Sequence, residues 1–102
     1  MTVTVPLFKA QLAKGDAEAI KALYKEKYHN SFVQYVETLD ESGLVSGGLL
    51  SGKDSMRVTV AGNEERILLI AAYDNLGKGA SGAAVECMNM AIGAEREKGL
   101  VL

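Results

Sequence analysis

Alternation and helical spacing divide the chain into short segments. Thr2 to Val5 alternate β-branched residues up to Pro6, whose missing N–H suits a strand end or a sheet edge; a short first strand is predicted there. From Gly15 to Asn30 the apolar positions Ala17, Ile20, Leu23, Tyr24 and Tyr28 recur at helical spacing, while Glu18, Lys21, Lys25 and Glu26 take the other face. Asp16 is placed to cap this helix and Asn30 to end it. Ser31 to Thr38 supplies Phe32, Val33, Tyr35 and Val36, a strand composition. From Asp40 to Ser55, four glycines interrupt a stretch with only Leu44, Val45, Leu49 and Leu50 as large apolar residues, which reads as a loop with at most one short strand.

Met56, Val58 and Val60 alternate with Arg57 and Thr59, as in a strand with one wet face. Gly62-Asn63-Glu64 supplies a turn, and Arg66 to Tyr73 is apolar at both parities, which predicts a second hairpin strand covered on both faces. Beyond Gly77, Gly79 and Gly82, an apolar stripe of Ala80, Ala83, Ala84, Cys87, Met88, Ala91 and Ile92 predicts a last helix over 79–93 that packs closely on a neighbour, with Gly93 as its stop. The order β-α-β-(β)-β-β-α is an α+β layout, a mixed or antiparallel sheet with two helices.

Composition adds limits. The 102 residues hold 11 Lys and Arg against 13 Asp and Glu, a net charge of -2, which offers no basic field for a nucleic acid. The length fits one domain, able to bury about two thirds of the surface its unfolded chain exposes. The single Cys87 excludes an internal disulfide and a CxxC pair. The first residues lack the basic and apolar regions of a signal peptide, and the longest apolar run, Ile67 to Tyr73, is too short for a membrane span. The expectation is a soluble, cytoplasmic protein with no nucleic-acid or membrane partner.

Two glycine-rich segments imitate phosphate-binding motifs. Gly77-Lys78-Gly79-Ala80-Ser81-Gly82 satisfies G-x-G-x-x-G between a strand and a helix, but the following strand and acidic residue of a dinucleotide fold have no room before Leu102. It reads first as a glycine-rich bend, with Lys78 and the amides of the next helix as a weaker anion site. Gly47 to Asp54 approaches a P-loop, yet Asp54 stands at the Ser/Thr position and a strand follows, so the motif fails. Cys87 and His29 are the only thiol and imidazole. Cys87 lies on the apolar stripe and is read as a buried packing residue, and His29 as an exposed helix-end residue, rather than as a nucleophilic pair. No ligand spacing for a metal is present.

Asp74-Asn75-Leu76-Gly77-Lys78-Gly79-Ala80-Ser81-Gly82-Ala83-Ala84-Val85, continued by Glu86-Cys87-Met88-Asn89-Met90, closely resembles the C-terminal signature of N-acetyl-gamma-glutamyl-phosphate reductase. Val3-Thr4-Val5-Pro6-Leu7 resembles the strand entering the second half of that family's catalytic domain. Aspartate-semialdehyde dehydrogenase carries a similar Asp-Asn-Leu-x-Lys-Gly-Ala stretch, but Gly82 and the Met88-Asn89 pair fit the reductase better. The resemblance implies a glyceraldehyde-phosphate-dehydrogenase-like C-terminal domain from an NADP-dependent enzyme that reduces N-acetyl-gamma-glutamyl phosphate to N-acetylglutamate semialdehyde in arginine biosynthesis. The nucleophilic cysteine, the acid/base histidine and the NADP-binding Rossmann domain of such enzymes belong to upstream segments that these 102 residues do not include.

The implied object is therefore a single-domain fragment over residues 1–102, with no catalytic residue of its own. It is expected to be inactive alone, to bind no cofactor tightly, to partner an N-terminal Rossmann half and to self-associate. Residue by residue, the resemblance matches Asn75 to the Asn that approaches the nicotinamide carboxamide, and Asp74 to a turn-orienting role. Gly77 and Gly79 would let backbone approach the cofactor, and Lys78 would add a positive charge near phosphate or substrate. Glu86 stands where the family often has Gln. The alternatives are an aspartate-semialdehyde dehydrogenase fragment and a stand-alone binding or oligomerisation module.

Overall fold

The computed structural model describes residues Met1–Leu102. Four strands form one mixed sheet in the order β1-β4-β3-β2: β1 (Thr2–Phe8), β2 (Val33–Tyr35), β3 (Met56–Gly62) and β4 (Arg66–Tyr73). β4 lies antiparallel between β1 and β3, and β2 runs parallel to β3. The expected β3–β4 hairpin forms, with Gly62 at a φ of 122° and the Asn63 side chain accepting the Glu65 and Arg66 N–H groups, both at 2.9 Å. β1 runs past Pro6 to Phe8 instead of stopping. It is an edge strand, and Pro6 needs no donor on its outer side.

Register sorts the side chains into two faces. Val3, Ala71 and Val58 share one face, as do Val5, Leu69 and Val60. α1 (Ala17–Lys27) packs on this face over β2 and β3, and its Tyr24 closes a small apolar groove of about 150 Å³ with Val3, Val5 and Leu69. Asp16 caps the helix as expected, accepting the Ala19 N–H at 3.0 Å. Asn30 does not end it. The helix stops at Lys27, and the Asn30 carboxamide oxygen accepts the Phe32 and Val33 N–H groups to start β2. Leu23, placed on the apolar side by spacing, is exposed.

On the other face, Leu39, Leu50 and Ala72 form a small core flanked by Val36, Leu49 and Ile70. The segment 40–55 contains turns and no strand; its use is to carry Leu49 and Leu50 back over β4. Within β4 only Ile67 and Ala72 are buried, so the cover expected on both faces is partial. Burial is sparse throughout, with 11 of 102 residues buried and 6640 Å² accessible, where a chain of this mass typically exposes roughly 5,500 Å². The radius of gyration is 15.0 Å against about 13 Å for a compact chain of this length. The molecule is a flat slab, 44 × 29 × 18 Å.

Candidate functional site

β4 delivers the chain to Asp74, whose carboxylate organises the turn. Its oxygens accept the Gly52 N–H at 2.6 Å and the Leu76 N–H at 2.9 Å. Those bonds, Gly52 first, hold the Asp74 carboxyl below its ordinary range. A π turn follows over Gly77–Ser81, carried by bonds five residues apart: Gly79 N–H to the Asp74 carbonyl and Ser81 N–H to the Leu76 carbonyl. Asn75 is exposed on the crest, and its carboxamide makes no hydrogen bond within the chain.

The glycines beside it serve packing first. A Cβ on Gly77 would overlap the Lys53 carbonyl, and one on Gly82 would overlap the Asp54 side chain. Asp54 is itself committed, since its carboxylate accepts the Val101 N–H at 2.9 Å and its own N–H donates to the Val101 carbonyl at 2.6 Å. Gly79 is exposed, and a Cβ there would meet the Tyr73 ring at 3.0 Å. The G-x-G-x-x-G spacing thus lets the segment Lys53–Asp54 and the C-terminal tail approach the last helix.

That helix, α2 (Gly82–Ala91), turns an unexpected face inward. Its buried residues are Gly82, Glu86 and Asn89, one stripe at i, i+4 and i+7, while Ala80, Ala84, Cys87, Met88, Ala91 and Ile92 of the apolar stripe are exposed. Asn89, 3% exposed, donates to the Arg96 and Lys98 carbonyls at 3.1 and 2.9 Å. Gly93, with φ 70°, ends the helix as expected, and Ala94 N–H returns to the Asn89 carbonyl at 2.9 Å.

Glu86, 6% exposed, is the hub of the site. Lys78 Nζ donates to Oε2 at 2.5 Å, and Arg96 reaches Oε1 through Nε at 2.8 Å and a terminal nitrogen at 2.5 Å. Both cations also lie over the Phe32 ring, Lys78 at 5.2 Å and Arg96 at 4.3 Å from its centroid. Burial pushes the Glu86 carboxyl up, but the bonds from Lys78 and Arg96 outweigh it and leave it below its ordinary value. Sequence patterning missed this cluster. Its signal was a Glu and an Asn three residues apart inside an otherwise apolar helix.

Cys87, expected to be buried, is exposed. The helix is rotated by the polar contacts of Glu86 and Asn89, which carries the thiol to the outer side. The expected outcome is ready alkylation of Cys87 in the native chain, with Cys87→Ala changing stability by less than about 0.5 kcal/mol; a thiol that reacts only after unfolding would contradict this placement. His29 lines a shallow groove with Lys25, Tyr28, Gln34 and Tyr35 and shares no hydrogen bond with Cys87. The largest groove, about 580 Å³ beside Phe8, Lys9, Glu64 and Glu65, lies at the other end of β4 from Asn75. No helix is long and apolar enough to cross a membrane.

No family model matches the chain. Among curated proteins it is similar to N-acetyl-gamma-glutamyl-phosphate reductase from Brucella ovis, Brucella canis and Brucella abortus, at 41% identity over 99 residues in each case. The match takes in 91% of this chain and 32% of each relative, so the chain spans about a third of their length. The resemblance carried by Asp74 to Met90 therefore extends over nine tenths of the chain, which is similar to a third-length portion of N-acetyl-gamma-glutamyl-phosphate reductase.

Proposed function

We propose that the chain is the C-terminal part of a cytoplasmic, homo-oligomeric, NADP-dependent reductase that converts N-acetyl-gamma-glutamyl phosphate to N-acetylglutamate semialdehyde in arginine biosynthesis, and that it is inactive alone. The observation that carries this reading is Asn75, exposed and with an unpaired carboxamide on a turn that Asp74 fixes, inside a chain 41% identical to such reductases.

The four residues assigned to the cofactor fit it unequally. Asn75 is free to donate and accept at once, as a nicotinamide carboxamide requires, and Gly79 beside it is exposed. Gly77 faces the Lys53 carbonyl, so its backbone approaches NADP only from the opposite side. Lys78 is neutralised by Glu86, which gives it the role of holding the turn against α2, with a charge for phosphate only when that bridge opens. When bound, NADPH supplies the hydride. The chain's own residues bind and orient: Asp74 sets the turn, Asn75 the carboxamide, and Glu86 keeps Lys78 in place.

The outward apolar face of α2 is read as the surface for the Rossmann half. On that face Met88 is 53% and Ile92 69% exposed, beside the exposed Ala84, Cys87 and Ala91. A second reading, a non-catalytic binding module, is favoured by one fact: Gly77 and Lys78 are already occupied within the chain.

The test is complementation. The pure chain is expected to show no phosphate-dependent NADP reduction from the aldehyde, because the nucleophile and the hydride-delivering half are missing. Addition of the N-terminal two thirds of the Brucella ovis relative is expected to restore turnover. Asn75→Ala should then lower kcat/KM about tenfold or more, through loss of a hydrogen bond to the carboxamide. Restored turnover that ignores Asn75→Ala would remove Asn75 from the site; failure to restore it with a bound partner would favour the module.

A further inference from the structure

The turn that carries Asn75 has little to hold its shape by itself. A π turn is a rare and weakly favoured bond pattern, and Gly77 and Gly79 add backbone freedom within it. Its own bonds are local, such as Gly79 N–H to the Asp74 carbonyl and the Ser81 N–H and Oγ to the Leu76 carbonyl. Contacts from elsewhere in the chain must therefore select its conformation.

Two sets of contacts do so, and both lead to residues 94–102. The first runs from Lys78 to the buried Glu86 and on to Arg96, with both cations seated on Phe32. Phe32 is 2% exposed, and its carbonyl accepts the Met56 N–H at 2.8 Å, so the platform under the cations is fixed to the sheet. Arg96 places two N–H groups on one carboxylate oxygen, which sets the plane of the Glu86 carboxylate and leaves Oε2 to Lys78. Arg96 is held in turn, because Asn89 donates to its carbonyl and to that of Lys98, and Ser31 Oγ donates to the neighbouring Glu97 carboxylate. The second set runs through Lys53 and Asp54, which lie against Gly77 and Gly82 at the two ends of the turn. The paired Asp54 bonds tie them to Val101. One segment thus braces the turn both by a side chain and along its backbone.

We infer that Arg96 is a positioning residue for the nicotinamide contact: through Glu86 and Lys78 it holds the turn in the shape that presents Asn75, with Val101 as the second brace. That the contact is with nicotinamide rests on the reductase reading; the bracing of the turn does not. Arg96 itself touches neither cofactor nor substrate in this role. A loosened turn presents Asn75 correctly only part of the time, so the apparent affinity for NADPH falls in proportion to that fraction. Cofactor once bound selects the competent shape, and turnover at saturation is kept.

Backbone NMR order parameters of the full chain without nucleotide read the bracing directly. In wild type, residues 75–81 are expected to be as ordered as β3 and β4, at about 0.85, and in Arg96→Met to fall to about 0.6 or below while both strands stay unchanged. A residue that merely adds stability would lower the urea midpoint and leave the turn of the folded chain ordered. Arg96→Lys keeps the charge without the planar fork and should give an intermediate value; it decides alone if Arg96→Met does not fold. Val101→Pro removes the N–H given to Asp54 and should loosen the same residues. In the enzyme complemented with the N-terminal two thirds of the Brucella ovis relative, Arg96→Met should raise KM for NADPH about fivefold or more with kcat within about twofold. It should add nothing further once Asn75→Ala is present. A turn as ordered in Arg96→Met as in wild type would overturn the proposal, as would restored turnover with an unchanged KM or an effect that simply adds to that of Asn75→Ala. Loss of order with no restored turnover would uphold the bracing and count against the reductase reading instead.

Discussion

Glu86→Ala is expected to lower the stability of the chain by about 3 kcal/mol, the scale of breaking a buried ion pair from one side. The loss falls unevenly on the two cations. The Arg96 side chain is 48% exposed and can return to water, whereas Lys78 is 13% exposed and would be left buried beside Phe32 without its counter-charge. For a chain with so small a core, a loss of that size is a large fraction of the total. Urea midpoints of wild type, Glu86→Ala and Glu86→Gln measure it. Glu86→Gln keeps hydrogen-bond acceptance and should cost about 1 kcal/mol, while Glu86→Leu combined with Lys78→Met should recover much of the loss. An alanine variant within about 0.5 kcal/mol of wild type would show that the bridge contributes nothing.

The same carboxylate sets a pH signature. Its folded pKa lies below the ordinary 4.5, so its stabilisation is complete above the unfolded value and is lost as pH falls through the lower, folded one. Asp74 and Asp40, also held low by backbone and side-chain donors, act in the same direction. Stability of the wild type should therefore decline on acidification below about pH 4.5, and Glu86→Gln should show a shallower decline over the same window. Equal slopes would remove Glu86 from the titration.

Gly77→Ala is expected to destabilise the chain by about 1–3 kcal/mol, the range for overpacking a close contact. The obstacle is the Lys53 carbonyl, part of the backbone, so no change of rotamer relieves it. Movement of Lys53 and Asp54 would also disturb the two bonds that tie Asp54 to Val101. Gly93→Ala is a useful comparison. Its φ of 70° disfavours a side chain while nothing stands within 4 Å, and it should cost about 1 kcal/mol for backbone strain alone. Thermal or urea unfolding without nucleotide decides the role of Gly77. If Gly77→Ala is as stable as wild type but weakens NADP binding in the complemented enzyme, the glycine serves cofactor approach and not packing.

The sequence was most legible where structure is local. Period-two alternation located β3, the bounds of β4 follow its unbroken apolar run, and Asp16 announces the start of α1 through a cap made three residues away. The signature from Asp74 to Met90 led to the reductase, and the similarity holds over 91% of the chain. Pro6 was informative as an edge signal and misleading as a strand end, because whether a strand needs its donor depends on which neighbour lies beside it. The stretch from Asp40 to Ser55 was opaque for a related reason: its leucines are placed by the β4 face they cover and not by any period of their own.

The last helix separates the two sources of information most clearly. By itself the amino-acid order determined that a helix follows the glycines and stops at Gly93, since apolar spacing and a positive-φ glycine are local properties. It also determined which segment carries the family resemblance. Only the tertiary structure decided which side of that helix is buried. Lys78 and Arg96, 18 positions apart in sequence, converge with Phe32 on Glu86, and Asn89 satisfies two carbonyls of the tail. Charges and amides with complete partners can be buried at little cost, whereas a stripe of alanine and methionine offers no directional bond to compete for the inner position. The apolar stripe, and Cys87 with it, was consequently left facing outward.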